Sequence, residues 1–169
     1  MRALRFIIAT IVAIGLAHIS GHAMAQALTQ IQLTEKQVQN YIASQKEISA
    51  IMQKVQGGPN DKPDPKVLAA IEAAAKKYGF ANLAEFNDVS ENISLLMNCI
   101  DPKTKSFSEP KVAIQREIDE LKANTAIPEP QKKQMLADLN EALKTAEPIQ
   151  YKSNIELVTK YYDQIDAAA

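Results

Sequence analysis

Histidine is scarce in this chain of 169 residues: its only two copies, His18 and His22, stand near the start. Tryptophan is absent, cysteine occurs once, at Cys99, and only five glycines are present, two of them adjacent at Gly57 and Gly58. Each shortage removes a class of chemistry. One cysteine cannot close an internal disulfide or build a thiolate cluster around a metal. It lies within "ISLLMNCI", where it reads as a small apolar core residue. The glycines form neither a G-x-x-x-x-G-K-[ST] phosphate loop nor a G-x-G-x-x-G turn. The nearest acidic cluster, "NDKPDP", has prolines and a lysine where a calcium loop needs oxygen ligands.

The two histidines belong to a segment that reads as an address rather than as fold. "MRALRF" supplies Arg2 and Arg5, "FIIATIVAIGLA" is an unbroken apolar run, and "HAMAQA" places alanines at 23 and 25, or at 25 and 27, in the A-x-A spacing of a cleavage site. The apolar run covers residues 6–17, short of the roughly 20 needed to cross a bilayer. Residues 1–25 are therefore predicted to be a secretory signal peptide and residues 26–169 a single helical domain. With no cysteine near the cut to carry a lipid, the product is expected to have no stable membrane anchor and to be periplasmic or secreted. Cleavage removes both imidazoles, so Ser-His-Asp and Cys-His catalysis and histidine zinc sites are excluded. No cofactor, catalytic residue or metal ligand is expected. Loss of Arg2 and Arg5 leaves 17 basic against 20 acidic side chains, a charge of −3. Without a concentrated basic surface, nucleic acid is not an expected partner.

What remains is helix. Residues 26–169 suffice for one ordinary domain that buries close to 70% of its unfolded surface. From Thr34 to Val55, apolar residues recur at Val38, Tyr41, Ile42, Ile48, Ile51, Met52 and Val55, which is helical spacing. "GGPNDKPDP" ends that helix. Asp64 and Pro65 form a cap and first-turn pair for "KVLAAIEAAAKKYG", with Lys76 and Lys77 at its carbonyl end and Gly79 placed to close it. Asn82, with Glu85 three residues on, starts "LAEFNDVSENISLLMNCI" as a capping box, and "DPKTKSFSEP" breaks it. "KVAIQREIDELKA" aligns Ile114, Ile118 and Leu121; "NTAIPEP" connects it to "QKKQMLADLNEALKTA", which aligns Met135, Leu139 and Leu143. A last helix is predicted from Ser153 and Asn154, with Glu156 completing its cap, through Leu157, Val158, Tyr161 and Ile165. No alternating strand pattern of useful length occurs. The expected class is all-α, a bundle of about six amphipathic helices.

One start signal has a double meaning. In "LTEKQV", Thr34 is placed to cap the first turn, Gln37 to reach back to the Thr34 amide, and Leu33 to pack on Val38 as a staple. The same letters resemble the L-T-x-x-Q motif of Spy and CpxP type periplasmic helical chaperones, which carry two copies. The second site here is "IPEPQ", Ile127 to Gln131, with Ile for Leu and Pro128 for Thr. That resemblance implies an envelope protein that holds other proteins. More broadly, the chain resembles uncharacterised secreted helical proteins of the alphaproteobacterial envelope.

Other motifs read as coincidence. "SEPK", Ser108 to Lys111, has the S-x-x-K spacing of penicillin-binding enzymes, and "SEN", Ser90 to Asn92, their S-x-N. Their order is reversed, however, and the third element, "KTA" at Lys144, lacks its glycine. Ser108 is better read as support for the helix beginning near Pro110. The carboxylate pairs Asp119 with Glu120 and Asp88 with Glu91 lie on polar faces beside lysines, a solvated surface rather than a glycosidase pair. "NIS" at Asn92 fits a glycosylation sequon but falls inside an apolar helix. Two function classes follow: an interaction protein, for which a protein partner or unfolded client is expected, and a small-molecule or lipid carrier with a cavity lined by Phe86, Ile93, Leu96 and Met97.

Overall fold

The computed structural model describes residues 28–53 and 64–168. The predicted signal peptide, Val55 and the residues 57–63 of "GGPNDKPDP" lie outside them. Among the described residues the chain is all-α: α1 (Glu35–Met52), α2 (Pro65–Lys77), α3 (Leu83–Cys99), α4 (Pro110–Ala123), α5 (Glu129–Thr145) and α6 (Lys152–Ala168). The only extended pairing among these residues is an isolated antiparallel bridge between Ile100 and Phe107.

Local chemistry sets most of the boundaries. Asp64 accepts the Lys66 amide at 2.8 Å, and Pro65 occupies the first turn of α2, where its missing N–H costs nothing. At the other end Gly79 takes φ +93°, its amide bonding Lys76 O while the Phe80 amide bonds Ala75 O, both at 3.1 Å. This is the paired closure that satisfies the last carbonyls of a helix and swings Phe80 into the core. A Cβ at Gly79 would meet Asn40 Nδ2 at 2.9 Å, the tip of a side chain that can swing aside, so it is the positive φ that selects glycine here.

Helices α3 and α4 start where expected, but three details of capping are corrected. Asn82 Oδ1 accepts the Glu85 amide at 2.9 Å, but Glu85 does not return the bond to Asn82. Its Oε2 accepts the Ala81 amide at 2.7 Å, one residue earlier, while Oε1 accepts Gln37 Nε2 of α1 at 2.9 Å. Ser108 does not cap α4: its amide donates to Cys99 O at 2.8 Å, and Glu109 holds the cap position without a cap bond, its carboxylate accepting the Ile149 amide at 3.4 Å instead. Helix α6 begins at Lys152, and Asn154 is a buried interior residue rather than a cap. Helix α5 also begins earlier than its apolar stripe, because Glu129 and Pro130 suit a first turn.

Helices α1, α2, α3 and α6 enclose the core. Helix α1 packs on α2, α3 and α6, and α3 packs on α2 and α6. Val38, Ile71, Val89, Ile93 and Val158 at its centre are completely buried. Helices α4 and α5 form a hairpin that reaches the rest through α3, and α5 touches no helix but α4 among those described. The hairpin buries Ala113, Ile118 and Leu121 of α4, whereas Lys132 is the only buried residue of α5. The Met135, Leu139 and Leu143 stripe is therefore half-covered rather than enclosed.

Candidate functional site

The helix start "LTEKQ" is built as its letters predict. The Gln37 amide donates to Thr34 Oγ1 at 3.2 Å, and the Thr34 amide and hydroxyl donate to Gln37 Oε1 at 3.0 and 2.9 Å. Leu33 and Val38 are both buried in one core cluster. Thr34→Ala removes the hydroxyl of this box, and a loss of about 1 kcal/mol in unfolding free energy is expected from chemical denaturation. "IPEPQ" stands in the same register on α5: Pro128 holds the cap position and Gln131 the third helical residue, as Thr34 and Gln37 do on α1. No side-chain cap forms there, since proline has no hydroxyl to offer.

Phe86, Ile93, Leu96 and Met97 belong to the core around α3. Phe86, Ile93 and Leu96 are buried, and Met97 is half-buried against the same cluster. The Phe86 ring stacks on Tyr41 at 6.1 Å and meets Phe80 edge-on at 5.3 Å. None of the four lines either of two shallow surface depressions. One, of about 650 Å³, lies along the outer face of α4 between Lys111 and Ala123. The other, of about 540 Å³, is at the start of α5 around Pro130 and Leu136. The first contains Val112, a large apolar side chain left 60% exposed.

Sequence reasoning missed the polar centre of the bundle. Asn92 of α3 and Asn154 of α6, each 3% exposed, hold the segment 28–33 that precedes α1. Asn92 Oδ1 accepts the Ile31 amide at 3.1 Å, and its Nδ2 donates to Thr29 O at 3.0 Å and Asp88 O at 2.8 Å. Asn154 Oδ1 accepts the Leu33 amide at 2.9 Å, and its Nδ2 donates to Ile31 O at 2.7 Å. Gln30 makes the reciprocal gesture, donating to Pro148 O and accepting the Gln150 amide, each at 2.9 Å. The signal was legible in principle. Asn92 lies three residues after Val89 and four before Leu96, and Asn154 lies four before Val158, so both stand on apolar stripes where a polar residue needs a partner.

Comparison with protein-family models, with curated proteins and with solved structures finds no match.

The titratable groups divide by environment. Cys99 is buried, and burial, followed by the Glu109 charge, raises its thiol to about 11. Of the carboxylate pairs, Asp119 accepts Gln115 Nε2 of its own helix at 3.0 Å. Glu91, an exposed side chain, is raised above 4.5, first by partial desolvation and then by Asp88. Glu117, also exposed, is raised likewise, first by partial desolvation and then by Glu120. The lowered group has charge or amide partners: Glu35 through Lys160 and then Tyr161, Glu47 through Lys77, Glu85 through the Ala81 amide and then Gln37, and Asp101 through the Thr104 and Lys103 amides.

These shifts oppose one another in pH. A raised carboxylate disfavours the folded chain above its folded pKa and is relieved on protonation. A lowered one contributes stability above its unfolded pKa that is lost as pH falls through its folded value. On acidification Glu91 and Glu117 protonate first. Urea midpoints are thus expected to hold or rise slightly down to about pH 5 and to fall below about pH 4. Glu117→Gln should flatten the early rise without moving the later fall.

Proposed function

We propose that the chain is an exported, non-enzymatic helical interaction protein of the bacterial envelope that holds protein clients in a chaperone-like way. The observation that carries this reading is the α4–α5 hairpin. Helix α5 has a full apolar stripe, yet α4 is its only helical neighbour among the described residues, and Met135, Leu136, Leu139 and Leu143 are only half-buried. Val112 adds an exposed aliphatic side chain on the outer face of α4. Apolar surface that folding does not cover is available to another chain. The expected export signal and the L-T-x-x-Q likeness support the same reading. No described helix is long and apolar enough to cross a membrane.

The test is photo-crosslinking in cells, with the crosslinking residue placed at Leu136, at Val112 or, as a control, at Lys46, which is exposed on α1. Many unrelated polypeptides trapped from 136 and 112 but not from 46 are the expected result. A single stoichiometric partner would replace the chaperone-like reading with an adaptor. Equal trapping from all three positions would overturn the assignment of the hairpin, and lipid purifying with the chain would favour a carrier.

A further inference from the structure

The segment 28–33 is held in the manner of a bound peptide. Helices α3 and α6 pack on one another, and each offers the segment one buried asparagine amide. Each amide serves a carbonyl and an N–H two residues apart: Thr29 O with Ile31 N for Asn92, and Ile31 O with Leu33 N for Asn154. That is the pairing a neighbouring β-strand would supply to an extended chain. Helix formation does not ask for Asn92, which lies in the middle of α3 where asparagine is a poor choice. Bonds of this kind read main chain and are indifferent to side chains. Selectivity is left to alternate positions, where Leu33 is buried and Ile31 packs against the core.

We propose that the cleft between α3 and α6 is a binding groove for extended polypeptide segments with large aliphatic residues two positions apart, and that residues 28–33 occupy it in cis as a displaceable stand-in. The junction favours release. Thr34, where the segment meets α1, already has β-region backbone (φ −99°, ψ 152°) and caps the helix from outside, so the segment can leave without unwinding α1. Every bond it makes to Asn92 and Asn154 is available to an incoming chain of the same geometry. This groove is separate from the α4–α5 surface, and the two assignments stand or fall independently.

The probe is a fluorescent synthetic peptide with the sequence of residues 26–34, QALTQIQLT, titrated against the full exported chain and followed by anisotropy. Ile31→Pro deletes the N–H that Asn92 accepts and so weakens the occupant in cis while leaving the groove intact. That variant is expected to bind the peptide at least tenfold more tightly than the wild type, and adding Asn154→Leu to it should weaken binding at least tenfold. If Ile31→Pro loses its helical circular dichroism, Leu33→Ala, which keeps every backbone bond, takes its place. Equal binding by wild type and weakened chain would overturn the proposal, as would no binding by a folded weakened chain or indifference to Asn154→Leu. Loss of fold in both single variants would do the same, because the segment would then be an inseparable part of the bundle.

Discussion

Asn154→Ala is expected to lower the unfolding free energy by about 3 kcal/mol, or roughly 8 °C in Tm for a domain of this size. The side chain is buried and makes two main-chain bonds, to Leu33 N–H and Ile31 O. Truncation leaves both groups without a partner, at about 1–3 kcal/mol each. The loss has a ceiling, because the segment 28–33 can let go and hydrate its own backbone once holding on becomes more costly. Hydrogen exchange should therefore show a local signature: the Leu33 and Ile31 amides lose protection, while those of α3 and α6 keep theirs. Asn154→Asp sharpens the test. The carboxylate still accepts the Leu33 amide but sets a charge against the Ile31 carbonyl oxygen, which burial makes worse. In this variant the carboxyl is neutralised on acidification and regains a donor. Its deficit relative to wild type should be largest at neutral pH and shrink toward pH 4. A deficit independent of pH, or a loss spread evenly over the whole bundle, would contradict the clamp.

The parts of the fold that were legible in the sequence are those fixed within a few residues. Thr34 with Gln37, Asp64 with Pro65, and Gly79 after Lys76 and Lys77 each satisfy backbone groups of their own turn, so spacing alone identifies them. Six apolar stripes at helical period give six helices for the same reason. What periodicity does not carry is the identity of the neighbour. The stripe on α5 looks like that on α6, yet Tyr161, Tyr162 and Ile165 of α6 are buried and Met135, Leu139 and Leu143 of α5 are not. The difference lies in which helices arrive to cover them, a property of the topology. Asn154 was misread, and Asn92 given no role, for a related reason. An asparagine near a helix start resembles a cap, and one inside an apolar helix offers only a chance sequon to notice. Their bonds, however, run to residues 121 to 123 and 61 to 63 positions away, beyond the reach of any local rule.

Phe86→Ala and Ile93→Ala are the substitutions that separate a solid core from a carrier's cavity. Ile93 is completely buried and Phe86 5% exposed, within the cluster that also holds Tyr41, Phe80 and Leu96. In close packing, truncation loses the transfer free energy of the removed atoms and opens a hole that the neighbours fill only in part. That costs about 2–5 kcal/mol for isoleucine and about 3–5 for phenylalanine. Phe86 stands at the upper end, because its ring also meets Tyr41 and Phe80, contacts worth about 0.5–1.5 kcal/mol beyond burial. Leu139→Ala on α5 is the internal comparison. Half-buried against a single helix, it should cost about 1 kcal/mol or less, while reducing the crosslinking proposed from Leu136. If Phe86 and Ile93 instead lined a ligand cavity, their truncation would enlarge a space already open and leave the empty protein nearly as stable as before. The main effect would then fall on the stabilisation gained from added ligand, which follows the logarithm of its concentration. Urea unfolding of the three variants, with and without a lipid extract of the envelope, reads both quantities together. Losses of about 3 kcal/mol or more at positions 86 and 93, unchanged by lipid, are the result expected of close packing.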